Sequence, residues 1–415
     1  MSNHRRVVVT GLGAMTPLGL TQKETWEGLL AGRSGIATIT QFDASDLPVR
    51  IAGELKGFSA REYINFKEAR RMSRCSQMAV ATAQEALADA GLELPLANEE
   101  RVGVLIGSGV GGLKRAIDGV DTYRAKGIAR VNPFILTATL VNMPSHHVSL
   151  WSGAKGPIST VVAACATGTQ AVGEASEFIR RGAADVMISG SVEALIHFVA
   201  VVGFFAMRAL STRNDEPERA SRPFDADRDG FVFSEGCAIL VLEALEHAQA
   251  RGAHIHAEVL GHASSSDAFH VAQPDPEGMG ASRAMQWTLD NAGLQPSAVD
   301  YINAHGSGTP LSDPIETRAI KRTFGDHAYE IPISSTKSMI GHAMGGAGAI
   351  EAAVCVLTVE QGIIHPTSNL ETPDPECDLD YVPEGARKAD VRVALSNSFG
   401  LGGQNACLLL GRFEE

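Results

Sequence analysis

Short β-branched runs, each breaking off into glycine or a polar turn and each giving way to a helical stretch, recur along the whole sequence. That rhythm favours a layered α/β fold. Strands are expected at Arg6–Thr10, Arg101–Ile106, Asp185–Gly190, Ala238–Leu242, Glu258–Gly261 and Asp300–Asn303. Helices are expected at Ser76–Ala90, Ala166–Arg181 and Ala347–Gln361, the last so apolar that it should be buried. Thr21, with Glu24 three residues on, reads as a capping box for a helix that Gly32 ends. No low-complexity linker divides the 415 residues. The weak seam is Ala248–Ala253, and no sequence repeat relates its two sides, so one body with two halves is expected.

Composition narrows the classes. With 44% hydrophobic and 20% charged residues the chain can bury a large core, which argues against disorder. A net charge of −13 should repel nucleic acid and anionic membranes, so an acidic partner would need a local basic patch. No apolar run approaches the ~18 residues of a membrane span, and Met1–Arg6 leads straight into a strand, so a cytoplasmic protein is expected. The six cysteines are scattered without CxxC or Cys/His spacing, which speaks against a disulfide framework or a zinc site.

Two motifs fail on inspection. Gly11-Leu-Gly13 follows a strand like a dinucleotide fingerprint, but Thr16-Pro17 stands where the third glycine and a helix should come. A tight turn is the expected reading. Asp225-Ala-Asp227-Arg-Asp229-Gly230 imitates a calcium loop, yet its twelfth position is Gly236 instead of a glutamate. That segment reads as a structural turn.

Chemistry concentrates elsewhere. A β-branched run from Thr160 ends at Cys165, and a small-residue helix follows at once. A thiol at such an elbow faces unpaired helix N–H groups, whose partial positive charge should lower its pKa. Alone, Cys165 is equally a buried structural residue. His305 ends an apolar strand beside Gly306, and His342 precedes the Gly345–Gly348 turn into the apolar helix. Strand ends facing loops are where α/β folds assemble sites. The other eleven histidines lack such a setting and receive no role. Glu351 lies in the apolar helix, where an unpaired carboxylate would be costly, and Lys337 is its expected partner. Ser396-Asn-Ser398-Phe399-Gly400-Leu-Gly402-Gly403 ends another strand with glycines that would let amides approach a reacting oxygen.

Together these segments resemble the elongating β-ketoacyl-[acyl-carrier-protein] synthases of the thiolase superfamily, most closely the synthase II branch. The resemblance runs from about Arg6 to Leu410. It includes Ala164-Cys165, Ala209-Leu-Ser-Thr-Arg-Asn-Asp215, Ser221-Arg-Pro-Phe-Asp, Arg228-Asp-Gly-Phe, Asn303-Ala-His305-Gly, Ser335-Thr-Lys337-Ser-Met and Asn397-Ser-Phe-Gly. It implies a thiolase-like αβαβα five-layer sandwich of two similar halves. One ketosynthase domain would span residues 3–412, with halves at about 1–253 and 254–415.

The resemblance further implies a homodimer that needs no cofactor or metal, its substrates arriving on the phosphopantetheine arm of acyl carrier protein. Cys165 would carry the acyl chain, and His305 and His342 would stabilise the enolate left by malonyl decarboxylation. Lys337 and Glu351 would orient the histidines, and the amides of Cys165 and Leu401 would form the oxyanion hole. Val110, Phe204, Phe399 and Leu401 would line the acyl pocket; Lys67, Arg70, Arg71 and Arg208 would dock the carrier protein. Histidine at 342, where chain-starting relatives have asparagine, points to elongation. Three departures stand out: Leu401 replaces a family Phe described as a gate, Ser307-Gly308-Thr309 follows His305 as in aromatic polyketide enzymes, and Ser234-Glu-Gly236-Cys237 is unusual. The alternative is therefore a secondary-metabolite ketosynthase paired with a chain-length factor. Less favoured are a non-catalytic carrier-binding subunit and a cysteine hydrolase.

Overall fold

The computed structural model describes residues 5–414. The expected domain start at residue 3 and the outer ends of the halves, 1 and 415, lie outside the described residues. The first half runs β1 (Val7–Met15), α1 (Arg74–Asp89), β2 (Val102–Gly107), α2 (Met143–Ser152), β3 (Ile158–Ser159), α3 (Thr167–Arg180), β4 (Val186–Glu193), β5 (Gly236–Ala244). The second repeats that succession: β6 (Ala257–Ser266), α4 (Met279–Ala292), β7 (Tyr301–Asn303), α5 (Ser312–Phe324), β8 (Ile333–Ser334), α6 (Ala347–Gln361), β9 (Val393–Gly400), β10 (Gln404–Gly411).

In space the strands run β3-β2-β4-β5-β1-β6-β10-β9-β7-β8. Read outward from the centre, each half has the same order and the same mix of parallel and antiparallel neighbours. Among the described residues, the two sets of strands pair at Val8 with Glu258 and Val9 with Ala257. Helices α1 and α2 cover the outer face of the first set of strands; α4 covers that of the second, and Ala319, Ile320 and Phe324 of α5 share a core with Ile302 and Leu395 of its strands. Between them α3 and α6 touch strands of both halves, which gives the expected αβαβα layering. Ile239, Leu240, Val241 and Leu242 on β5 are wholly buried between layers, each side chain contributing roughly 1.5–3 kcal/mol. Every residue of α6 from Ala347 to Val359 is buried, because this helix has a neighbour on every side.

Several local expectations change. The strand expected to stop at Thr10 runs on through Gly11 and Gly13, where a turn was expected. The glycines are there because α1 lies directly on the strand: a Cβ on Gly11 would sit 2.2 Å from the Ala86 carbonyl oxygen, and one on Gly13 2.4 Å from that of Thr82. Helix α1 begins at Arg74, capped by Ser73, and α3 begins at Thr167 after a 3₁₀ turn over Ala164–Ala166. Thr21 caps Glu24 as the box requires, although the Glu24 carboxylate accepts from Leu20 N–H. In the calcium-like segment, the Asp225 carboxylate accepts from Arg222, Asp227 N–H, Glu371 N–H and Thr372 N–H, at 2.7–2.9 Å. The segment is a turn stapled by protein donors.

Candidate active site

The elbow before α3 carries Cys165. Ala164 takes a left-handed backbone conformation (φ 47°), uncommon for a residue with a Cβ. The Thr167 hydroxyl holds it there, accepting from Ala163 N–H at 2.8 Å and donating to Ala164 C=O at 2.7 Å. Gly400, at the end of β9, closes over the elbow: a Cβ there would lie 3.0 Å from Ala163 O and 3.1 Å from Cys165 N. The next residue, Leu401, lines the same cleft, and its backbone amide favours the Cys165 thiolate. The thiol is only 5% exposed, and burial pushes it up to about 11 against the opposing pull of that amide and of Lys337. The expected lowering by the helix terminus is thus outweighed, because desolvation disfavours the thiolate more.

His305 sits in the loop after β7. Its own N–H and that of Gly306 donate to the two Glu316 oxygens at 2.8 Å each, so Glu316 on α5 fixes the loop. His342 donates its backbone N–H to Val232 C=O at 2.7 Å, and its Nδ1 accepts from Met344 N–H at 3.2 Å. Burial first, then the Lys337 charge, holds both imidazoles well below their ordinary pKa, and they are neutral at pH 7. A neutral His342 that accepts at Nδ1 carries its proton on Nε2. The two rings meet edge to face with centroids 5.4 Å apart.

Lys337 Nζ is paired with Glu351 on α6, both 1% exposed or less. Burial raises the Glu351 carboxyl to about 7 although the Lys337 charge opposes the shift. Glu316 is likewise raised to about 7, and so is Glu193, whose carboxylate accepts from Gly109 N–H at 2.8 Å and from Ser108 at 3.1 Å. Sequence reading missed Glu316 and Glu193. An acid among Ile315, Ala319 and Ile320 was the available signal for Glu316; nothing in the sequence ties Glu193 to this place.

One cleft of about 430 Å³ is lined by Cys165, His305, His342, Phe399 and Leu401 together. Val110 and Phe204, expected as pocket lining, do not reach it. They pack one layer behind, with Phe204 edge to face against Phe231, which does line the cleft (centroids 5.4 Å). Lys67, Arg70 and Arg71 line a separate surface hollow with Arg130 and Phe134. Arg208 is not with them: it is exposed and lines the Cys165 cleft.

The family model described as "Beta-ketoacyl synthase, N-terminal domain" matches residues 4–248, and "Beta-ketoacyl synthase, C-terminal domain" matches 256–371. The 3-oxoacyl-[acyl-carrier-protein] synthase 2 of Synechocystis sp. is 50% identical over 410 residues, 99% of each chain. Among solved structures, the ishigamide ketosynthase/chain length factor superposes with TM-score 0.93 at 36% identity, over 99% of this chain and 100% of that one. A type II PKS ketosynthase bound to the hexaketide, in complex with its acyl-carrier protein, gives 0.91 and 34% over the same shares. The chain belongs to the β-ketoacyl synthase family.

Proposed function

We propose that this chain condenses acyl-[acyl-carrier-protein] with malonyl-[acyl-carrier-protein] to give 3-oxoacyl-[acyl-carrier-protein], elongating fatty acids by two carbons. The observation that carries this reading is a buried thiol sharing one cleft with two neutral imidazoles. The Cys165 sulfur attacks the acyl thioester, the carrier thiol leaves with the proton, and the chain rests on Cys165. The amides of Cys165 and Leu401 take the developing oxyanion. Malonyl-carrier then enters and its carboxyl carbon departs as carbon dioxide. The electron pair left behind forms an enolate whose oxygen accepts hydrogen bonds from His305 and His342, His342 donating through Nε2–H. The enolate carbon attacks the acyl-Cys165 carbonyl, and Cys165 leaves as thiolate and is reprotonated. Neutral imidazoles suit this step, since they donate without quenching the enolate.

In the same reading Lys337 and Glu351 set the local charge, and no metal or redox cofactor takes part. Phe399 and Leu401 form the pocket entrance, with Val110 and Phe204 at its far end behind Phe231. Lys67, Arg70 and Arg71 receive the carrier protein, and Arg208 receives it at the cleft mouth. The working unit is a cytoplasmic homodimer, and the halves divide near residue 253, between Ala244 at the end of β5 and Ala257 at the start of β6. The likeness to a ketosynthase/chain length factor keeps a second reading open, in which this chain works beside a chain-length partner. Product profiling with malonyl-carrier and acyl-carriers of graded length tests both. Single two-carbon extensions by the chain alone support elongation; silence until a second subunit is added supports the alternative.

A further inference from the structure

Away from the cleft, His254-Ile-His256 leads directly into β6 at Ala257, and His256 N–H already bonds to Val9 C=O at 2.9 Å as a strand residue would. Alternate residues of an extended chain face one side. Both imidazoles meet one carboxylate, that of Glu360 in the last turn of α6. His254 Nε2 lies 2.8 Å from Glu360 Oε1, and His256 Nδ1 lies 3.0 and 3.1 Å from the two Glu360 oxygens. All three ligand atoms lie within 4.8 Å of one another. The other nitrogen of His256, Nε2, is 3.0 Å from Asp89 Oδ2 at the end of α1. That carboxylate is itself fixed by Leu12 N–H at 2.8 Å. Among the described residues, the hydrogen bonds to the Glu360 carboxylate come from these two imidazoles alone.

We propose that His254, His256 and Glu360 form a zinc site, with Asp89 orienting His256 from behind. Two imidazoles and a carboxylate are a zinc donor set, with bond lengths of about 2.0–2.2 Å to nitrogen and oxygen. Ligands at that range stand about 3.3 Å apart around a tetrahedral ion, so the present 2.8–3.1 Å separations need only a small opening. A carboxylate behind a ligating histidine is the usual means of fixing tautomer and ring direction. The His254 side chain is 67% exposed, so ion and water have access and the fourth position falls to solvent. The expectation against a zinc site rested on the spacing of the cysteines, and this set contains none. The role is structural: the ion ties α1 of the first half to β6 and α6 of the second, independently of the reaction proposed above.

Full-length protein, stripped with chelator and dialysed, is titrated with zinc chloride by calorimetry. One zinc per chain is expected in the parent and equally in Cys165→Ala, which removes the thiol of the cleft. Affinity should fall at least tenfold in His254→Ala and Glu360→Gln, and about tenfold in Asp89→Asn. Zinc should raise the thermal midpoint of the parent and leave that of His254→Ala unmoved. His254 is exposed, so its replacement leaves folding intact, and circular dichroism of each variant verifies this. Parent-like binding in both His254→Ala and Glu360→Gln, loss of binding in Cys165→Ala, or no uptake at millimolar zinc would each overturn the site.

Discussion

Burial governs the groups around Cys165 more than any single charge does. It keeps the resting sulfur protonated and the imidazoles neutral, so reactivity must come from substrate binding. Peptide mass spectrometry after incubation with acyl-carrier should find the acyl group on Cys165; an adduct on another cysteine refutes the assignment. His305→Ala and His342→Ala should lose malonyl decarboxylation and condensation while keeping part of acyl transfer, and full decarboxylation in both would contradict their roles. Gly400→Ala places a methyl 3.1 Å from Cys165 N, displacing the neighbouring Leu401 amide. Condensation should fall about a hundredfold, comparable to losing one oxyanion donor. Cys165, His305 and His342 were legible because each stands in a turn beside small residues at the edge of an apolar segment. Glu193 was not legible, since it meets Ser108 and Gly109 only when β4 is laid beside β2.

At the scale of elements, apolar stretches were read well and glycine-bearing strands poorly. Helix α6 was bounded to the residue, because thirteen consecutive buried positions leave no ambiguity about its length. Strand β1 was cut short because a Gly-x-Gly pair reads as a turn unless the helix pressed against it is known. The repeat between halves escaped sequence reading for a related reason: the halves share the order of elements and not the residues. Helices α3 and α6 of the two halves meet closely at two further glycines. A Cβ on Gly168 of α3 would lie 2.3 Å from Ala349 N, and one on Gly348 of α6 would lie 2.4 Å from Thr169 N. Gly168→Ala should therefore cost about 1–3 kcal/mol, read from urea unfolding, despite alanine's better helix propensity. A variant as stable as the parent would mean that the helices can part without penalty.

For the molecule as a whole, charge acts at the rim and in a few buried anchors. Reversing Arg70 and Arg71 should raise KM for carrier substrates most at low salt, because steering fades beyond ~10 Å at moderate ionic strength; an unchanged KM across salt would exclude that hollow as the docking face. Burial would raise the Glu243 carboxyl on β5, but hydrogen bonds from His247, Arg251 and Thr10 more than offset it and hold it at about 2. A carboxyl depressed in the folded state contributes stability above its unfolded pKa and loses it as pH falls through the folded one. The stability gap between parent and Glu243→Gln should be full at pH 7, shrink below about pH 5 and close near pH 2, as followed by urea midpoints. The glycine contact between α3 and α6 reaches further than stability. Ala164 and Met344 share the same left-handed elbow ahead of those helices, yet only one elbow bears a thiol; its counterpart is Gly345. Two halves packed in this way are coupled, since neither interface glycine can gain a side chain unless the other helix retreats. A second half standing alone would open to water a helix that is now buried on every face, so it is not expected to fold by itself.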